Sequence, residues 1–550
     1  MGIKTRALMI QGTGSGAGKS LIVTALCRIF KNMGIDVAPF KAQNMALNSY
    51  ITLEGGEIGR AQALQAEAAK IEPEVDMNPI LLKASGEKGC QVIIHGKVHS
   101  QMKAREYYAF KKTAWEAVKE SFNRLSQRHE LIIMEGAGSP AEINLMDADI
   151  VNMSIARHAK APVILVGDID KGGVFASLYG TVRLLGRNSK YIRAFVINKF
   201  RGDMDILNPG LTMIKEKTGK PVIGVLPYIK DIGLPEEDGL ALYLGSQFTG
   251  HSPQSIVHSP SAFSLQPSIK IVIVRLQYIS NFTDFDPFIY EPDVELIYSN
   301  NPVDIENADI VILPGTKNTV KDLLFLKERR LDQSIVRAYK KGICIIGICG
   351  GYQMLGKKIF DPYGVESVHK EINGIGLLNI ETTFERQKIT SQVLAKINPS
   401  SLQYLYPKKL KHGSPENRKI FWGAEDFFGT LHSAFSIRGY EIHMGVSTGD
   451  IGLFKIKRYG VSTSALHQFT CSPIFDGSAS HNCWGTYLHG IFENDEFRRW
   501  IINNARRNKN LSPIDLTARY SEIKDRAIEN LAKIVKENID IDFIKRIAKI

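Results

Sequence analysis

The chain has 550 residues, of which 44% are hydrophobic and 23% charged, and a formal net charge of +12. That length exceeds one ordinary core, so two or three domains are expected, and the composition excludes a disordered or fibrous class. No apolar run approaches the ~20 residues of a membrane helix, and six scattered cysteines without a CxxC pair argue against a disulfide framework or a zinc site and fit a reducing cytoplasm.

The opening Met1–Arg6 leads straight into an apolar run, Arg6–Gln11, which reads as a first strand and not as a leader. A glycine-rich stretch follows, Gly12-Thr13-Gly14-Ser15-Gly16-Ala17-Gly18-Lys19-Ser20. Five residues separate Gly12 from Gly18 where a standard P-loop has four, so this is a variant. The physics is unchanged. Glycines let backbone N–H groups turn toward phosphate oxygens, and the next helix adds its positive end. Lys19 neutralises phosphate charge, and the Ser20 hydroxyl is placed for Mg²⁺.

Lys19–Met33 reads as a helix, with Leu21, Ile22, Ala25, Leu26 and Ile29 on one face. Val37–Phe40, Leu131–Met134, Pro162–Val166, Ala194–Ile197 and Val222–Val225 are short β-branched runs between helical patterns. This rhythm predicts an α/β fold with a mostly parallel sheet covered on both faces. Glu135, at the end of one such strand, is placed for Mg²⁺. Asp168, Asp170 and Asn198 end two others, and Asn198 is a weaker candidate for reading a nucleotide base.

A Ser/Pro/Gly-rich break, 243–268, reads as a linker between a first domain, 1–242, and a second α/β domain, 269–510. Strands are expected at Ile269–Val274, Ile310–Leu313 and Ile343–Gly347, with a helix in Val320–Lys341. Lys408–Lys419 reads as an insertion loop, and 511–550 as a helical tail. Arg498-Arg499 and Arg506-Arg507-Asn508-Lys509 concentrate positive charge, but no aromatic-interleaved basic stripe accompanies them, so no nucleic-acid partner is expected.

Gly347-Ile348-Cys349-Gly350-Gly351 has the pattern of a nucleophile elbow with cysteine in place of serine. Its position at a helix start favours the Cys349 thiolate. The N–H groups of Gly350 and Gly315 are candidate oxyanion donors. His489, in Tyr487-Leu488-His489-Gly490, is the best candidate base, with His443 as its rival. Cys344 reads as an inert core thiol.

These motifs resemble a known family. Gly347–Gln353 with His489 is similar to a class I-type glutamine amidotransferase domain, and the Gly12–Ser20 loop with Glu135-Gly136-Ala137-Gly138 to the dethiobiotin-synthetase-type ATPase fold. Both in this order resemble the corrin-ring amidases. Pro39–Ser49, with Gln43 and Asn44, matches the cobyric acid synthase branch, as do Met77–Lys83, Glu135–Val151, Asp168–Ser177, Asn198–Asp203 and Pro314–Thr319. The resemblance covers roughly residues 6–500.

It implies ATP, Mg²⁺ and L-glutamine as reactants and a corrinoid small molecule as substrate. The b, d, e and g carboxylates of adenosylcobyrinic acid a,c-diamide would be amidated through acyl phosphates. Lys41 would stabilise transferring phosphoryl charge, and Asp147 and Asp149 would stand near the acyl phosphate, unless they are helix-capping aspartates. Most class I domains carry a glutamate two residues past the histidine. Here that position is Ile491, which leaves a Cys349–His489 dyad with the orienting group of His489 open. The alternatives are an a,c-diamide-type amidase, an amidase of another carboxylate, or a regulatory ATPase, which the paired Cys349 and His489 oppose.

Overall fold

The computed structural model describes residues 5–84, 89–230, 232–235, 269–401, 436–460, 474–515 and 518–550. The expected linker 243–268 and the Lys408–Lys419 insertion lie outside them. In their described residues two compact units divide the chain: Met1–Thr52, Gly56–Glu237 and Glu522–Ile550 form one, Leu53–Gly55 and Asp238–Ser521 the other.

The first unit is built on a six-stranded sheet, in the order Val222–Pro227, Ile192–Phe200, Val163–Asp168, Arg6–Gly12, Leu131–Glu135, Val37–Phe40. Every pairing in it is parallel. Such strands bury both faces, which is why they are continuous runs of Ile, Val and Leu without alternation. Arg6–Gly12 lies between Leu131–Glu135 and Val163–Asp168. That placement brings the glycine loop, Glu135 and Asp168 to the same carboxyl edge, where α/β sheets bind ligands. A smaller sheet pairs Gln43–Met45 with Ile80–Ala84, then Cys90–Ile94 and Lys97–Met102.

The tail belongs to this first unit. Ile528, Leu531, Val535, Ile539 and Ile544 share one core with Leu8, Ile10, Val23 and Leu26. Tyr520–Asn538 and Ile541–Ala548 are separate helices, and Arg28, buried, pairs with Asp525 at 2.6 Å and Glu529 at 3.1 Å.

The second unit holds another six-stranded sheet, ordered Val294–Ser299, Ile269–Val274, Ile310–Leu313, Cys344–Ile348, Cys483–Thr486, Ser478–Ser480. All but the last strand run parallel. The thiol strand therefore lies between the strand leading to Gly315 and the strand leading to His489. The helix expected within Val320–Lys341 is two, Thr319–Glu328 and Leu331–Lys340, broken where Arg330 turns left-handed at φ 56°. A second, mainly antiparallel sheet pairs Ile380–Ile397 with Ile437–Gly449, and the latter with Leu488–His489. Much of the basic concentration near 500 is internal. Buried Arg498 and Arg499 pair with Glu291 at 2.7 and 3.0 Å, and Arg506 with Asp293 at 2.9 Å.

Candidate functional site

In the first unit the glycine loop closes over Glu135. Gly18 takes φ 93°, and a Cβ there would lie 2.1 Å from Asn198 Nδ2, so only glycine fits. Lys19 Nζ donates to Gly14 O at 2.9 Å and Gly138 O at 3.2 Å. Ser20 Oγ donates to Glu135 Oε1 at 2.9 Å, Lys41 Nζ reaches the same oxygen at 2.7 Å, and Gln65 Nε2 reaches Oε2 at 2.6 Å. A hydroxyl and a carboxylate at this distance suit a hard cation that keeps most of its other positions for phosphate and water.

Among the described residues, buried polar atoms at this group meet no hydrogen-bond partner: both side-chain ends of Gln11 and Asn152 Oδ1, which lie beside Gly136, and Gln65 Oε1. Each costs on the order of 1–3 kcal/mol if nothing meets it. Such atoms fit a polar ligand.

Other expected residues are brought in as supports. Asn198 Nδ2 donates to Ala17 O at 2.9 Å and its Oδ1 accepts from Lys199 N at 2.9 Å, so its amide holds the loop. Lys199 Nζ bridges Gly16 O and Asp168 Oδ2, each at 2.8 Å. The Thr13 amide donates to Val166 O at 2.9 Å and so belongs to the sheet. Gln43 Oε1 accepts from Tyr107 Oη at 2.6 Å, and Asn44, buried, donates to Gln62 Oε1 at 3.0 Å.

Of the two readings of Asp149, an acyl-phosphate neighbour or a helix-capping aspartate, its contacts fit the second. Oδ1 accepts from the amides of Val151 and Asn152 at 3.0 and 2.9 Å, and Oδ2 from Ser154 at 2.9 Å. It ties down the entry to the helix Met153–His158, in the manner of a cap. Asp147 is exposed.

In the second unit, Cys349 stands at the junction of strand and helix with φ 52° and ψ −108°, a strained backbone of the kind that projects a nucleophile. Its amide donates to Thr486 O at 2.8 Å, and its thiol points to Ile442 O at 3.6 Å. Gly351 follows because a Cβ there would lie 2.0 Å from Leu313 O.

His489 is almost fully buried. Its Nδ1 lies 2.6 Å from Asp284 Oδ2, while Asp284 Oδ1 accepts from Gly490 N at 3.2 Å. Tyr440 stacks on the imidazole at 5.3 Å between centroids, 16° from parallel. At its edge lies Gly315, where a Cβ would come within 2.9 Å of Cε1. Burial opposes charging this ring, but the Asp284 carboxylate and the hydrogen-bonded Cys349 sulfur outweigh it and push His489 up to about 10. The imidazole is thereby biased to hold a proton beside the thiol.

Gly315 and Thr316 are held from behind. Asp322, fully buried, accepts from the Gln277 amide at 3.0 Å and from the Thr316 hydroxyl at 2.5 Å. A Cβ on Gly350 would lie 3.2 Å from Thr316 N, which brings the two loops together beside the cysteine. His443, the rival base, is engaged elsewhere. Its Nδ1 lies 2.7 Å from Gly445 O, its ring stacks on Tyr487 at 3.7 Å, and its Nε2 faces Glu441 at 3.6 Å. Cys344 is half-buried, and burial pushes its thiol up to about 12, as expected of an inert sulfur.

Two family models match. Residues 8–242 match the CobQ/CobB/MinD/ParA nucleotide binding domain, and 270–497 the CobB/CobQ-like glutamine amidotransferase domain. The chain is 48% identical to a cobyric acid synthase of Thermodesulfovibrio yellowstonii over 99% of each chain. It belongs to the cobyric acid synthase family. Members from Thermoanaerobacter sp. (47% identical, 97% of each chain) and Clostridium tetani (42% identical, 99% of each chain) extend the similarity. As a cobyric acid synthase family member, it is a glutamine-hydrolysing, amide-forming ligase of cobalamin biosynthesis.

Sequence reasoning missed Asp284, Gln11 and Gln65. Asp284 is 205 positions from His489, and no spacing rule links them. Gln11 carried a signal: a polar side chain at the end of an otherwise apolar strand, directly before the glycine loop.

Proposed function

We propose that this chain amidates the b, d, e and g carboxylates of adenosylcobyrinic acid a,c-diamide, giving adenosylcobyric acid, with nitrogen from glutamine and activation by Mg-ATP. The observation that carries this reading is the presence, in one chain of that family, of the Cys349–His489–Asp284 line and the Lys19–Ser20–Glu135 group, each at the carboxyl edge of a parallel sheet.

At the second unit, Cys349 Sγ attacks the glutamine amide carbon. The amide oxygen takes up negative charge, to which the amides of Gly350 and Gly315 donate. His489 passes a proton to the departing ammonia, leaving a thioester on Cys349. The same imidazole then takes a proton from the water that hydrolyses the thioester to glutamate. Asp284 holds the ring in the tautomer that presents Nε2 to sulfur, and Tyr440 holds its plane.

At the first unit, a carboxylate is a poor electrophile and must be activated. A corrin carboxylate oxygen attacks the γ-phosphorus of ATP, forming an acyl phosphate and releasing ADP. Ammonia then displaces phosphate at the acyl carbon, giving the amide. Lys19 and Lys41 neutralise phosphoryl charge, and the loop amides around Gly16 and Gly18 cradle phosphate oxygens. Ser20 and Glu135 would hold Mg²⁺, which supplies further charge neutralisation when bound. Gln43, Asn44 and Asp147 border the acceptor side.

Cys349→Ala tests the division of labour. It is expected to abolish glutamine-dependent amidation and to leave amidation driven by ammonium salts intact. Loss of both activities in a folded variant would refute it.

A further inference from the structure

In the second unit, the strand that meets the cysteine continues into a cavity. Along Ile437–Gly449 the side chains of Tyr440, Ile442, Met444 and Val446 share one side. Tyr440 stacks on His489, and the Ile442 carbonyl meets the Cys349 thiol. Beyond these two the strand opens, and Val446 is 43% exposed. There it lines a cavity of about 500 Å³ with Tyr363, Glu385, Arg386, Gln387 and Ile389.

One wall comes from the neighbouring strand. Phe384 pairs with Gly445 and Ile389 with His443, so residues 385–388 stand opposite Met444 alone. Such a bulge lifts the extra residues off the ladder. Met444 is two residues from Ile442, about 7 Å along the strand, close to the reach from the side-chain amide of glutamine to its α-carboxylate. The other wall is tied to the loop that carries Gly315. Asp361 accepts from the amides of Val365, Glu366 and Ser367 at 2.7, 2.9 and 2.9 Å, and Glu366 accepts from the Thr319 amide at 2.6 Å. Tyr363 rides on this fixed turn, and the Arg386 guanidinium lies 4.9 Å from its ring centroid. Among the described residues neither Arg386 nor Glu385 enters an ion pair.

We propose that this cavity holds the α-amino acid end of glutamine, with Arg386 receiving its carboxylate and Glu385 its ammonium group, while the side-chain amide extends to Cys349. This rests on the Cys349–His489 reading above and says what selects the substrate of that site. The nucleophile and the oxyanion donors act on the amide alone, so they do not distinguish glutamine from any other primary amide. A guanidinium on a carboxylate and a carboxylate on an ammonium, both set at a fixed reach from the sulfur, do distinguish it. An amide without those two groups leaves the two side chains without their partners and is rejected. Tyr363 holds the guanidinium plane, so less freedom is lost when the carboxylate arrives.

The test compares the full-length chain with Arg386→Ala, Arg386→Lys and Glu385→Gln. Arg329→Ala is the control, at an arginine that lies 5.2 Å from the Phe325 ring centroid elsewhere in the second unit. The readouts are kcat and KM for glutamine hydrolysis, the preference in kcat/KM for glutamine over two analogues, and amidation driven by ammonium salts. The analogues are 4-aminobutanamide, which lacks the α-carboxylate, and glutaramate, which lacks the α-ammonium group. Arg386→Ala is expected to raise the glutamine KM by about 10-fold or more, with kcat within about three-fold, and to shrink the preference over 4-aminobutanamide by the same factor. Arg386→Lys restores part of both. Glu385→Gln raises the glutamine KM and shrinks the preference over glutaramate. Ammonium-driven amidation stays at the wild-type value throughout, and Arg329→Ala changes none of these. A glutamine KM within about two-fold of wild type in both Arg386→Ala and Glu385→Gln overturns the proposal. A raised KM with both preferences intact overturns it too, because the side chains would then act on the fold alone. A wild-type chain that hydrolyses no glutamine overturns the Cys349–His489 reading instead.

Discussion

Asp284 Oδ2 lies 2.6 Å from His489 Nδ1, and the two residues are 205 positions apart in the chain. The carboxylate enters from the short helical segment Phe282–Tyr290, after the first strand of its sheet. It takes the place that Ile491 leaves vacant two residues beyond the histidine. Asp284→Asn is expected to keep the fold and lower glutaminase kcat by about 10²-fold or more, because the amide favours the wrong tautomer. Amidation driven by ammonium salts should be unchanged, which steady-state assays with the two nitrogen donors would show.

The same pair sets a pH dependence. His489 is raised to about 10 in the folded chain from 6.5. Its charged form therefore contributes stability that is complete below about 6.5 and is lost as pH climbs toward about 10. In Asp284→Asn that alkaline loss should be smaller and end at lower pH, as followed by thermal denaturation across pH 6–10.

Asp322 carries the opposite sign. Burial raises it from 3.8 to about 6, although the Thr316 hydroxyl and the Gln277 and Tyr278 amides oppose the shift. An acid raised on folding holds its proton longer in the native state, so stability falls as pH rises from about 4 to about 6 and then levels. The change is at most about 3 kcal/mol. Asp322→Asn should flatten that slope in urea denaturation at pH 4, 5 and 6.

Most of the fold was legible in the sequence. Continuous Ile/Val/Leu runs ending in Gly12, Glu135 and Cys349 marked buried parallel strands and their functional ends. The glycine frames are local, because backbone geometry dictates them within a few residues. Asp284 and Gln65 were not legible, since their roles arise from strand order and helix packing, which bring distant positions together. The sequence left Asp149 between two readings for the same reason: a carboxylate near a glycine loop and one fastening a helix entry look alike until the amides it meets are known. The tail's helical spacing was clear, but spacing does not say which core receives it.

Asp149→Ala and Ser20→Ala should separate support from chemistry. Loss of the Asp149 ties is expected to cost about 1 kcal/mol in stability and to leave amidation kcat near wild type. Ser20→Ala should leave stability nearly unchanged and lower amidation by about 10²-fold or more, with glutaminase activity retained. Differential scanning fluorimetry and the coupled assay would distinguish them.

The C-terminal helices complete the first core. Leu531 is 2% exposed and packs in a cluster with Leu8, Ile10 and Leu26. Leu531→Ala should lower stability by about 2–5 kcal/mol. Removal of the chain from residue 520 onward should leave the first unit unable to fold, as judged by soluble yield and cooperative melting.

The central claim is that one chain moves glutamine nitrogen onto four carboxylates of a corrin. Mass spectrometry of adenosylcobyrinic acid a,c-diamide, incubated with the purified protein, Mg-ATP and amide-¹⁵N glutamine, tests it most directly. The account predicts four successive exchanges of OH for NH₂, each carrying ¹⁵N. An unchanged corrin mass, with glutaminase activity still present, would contradict it.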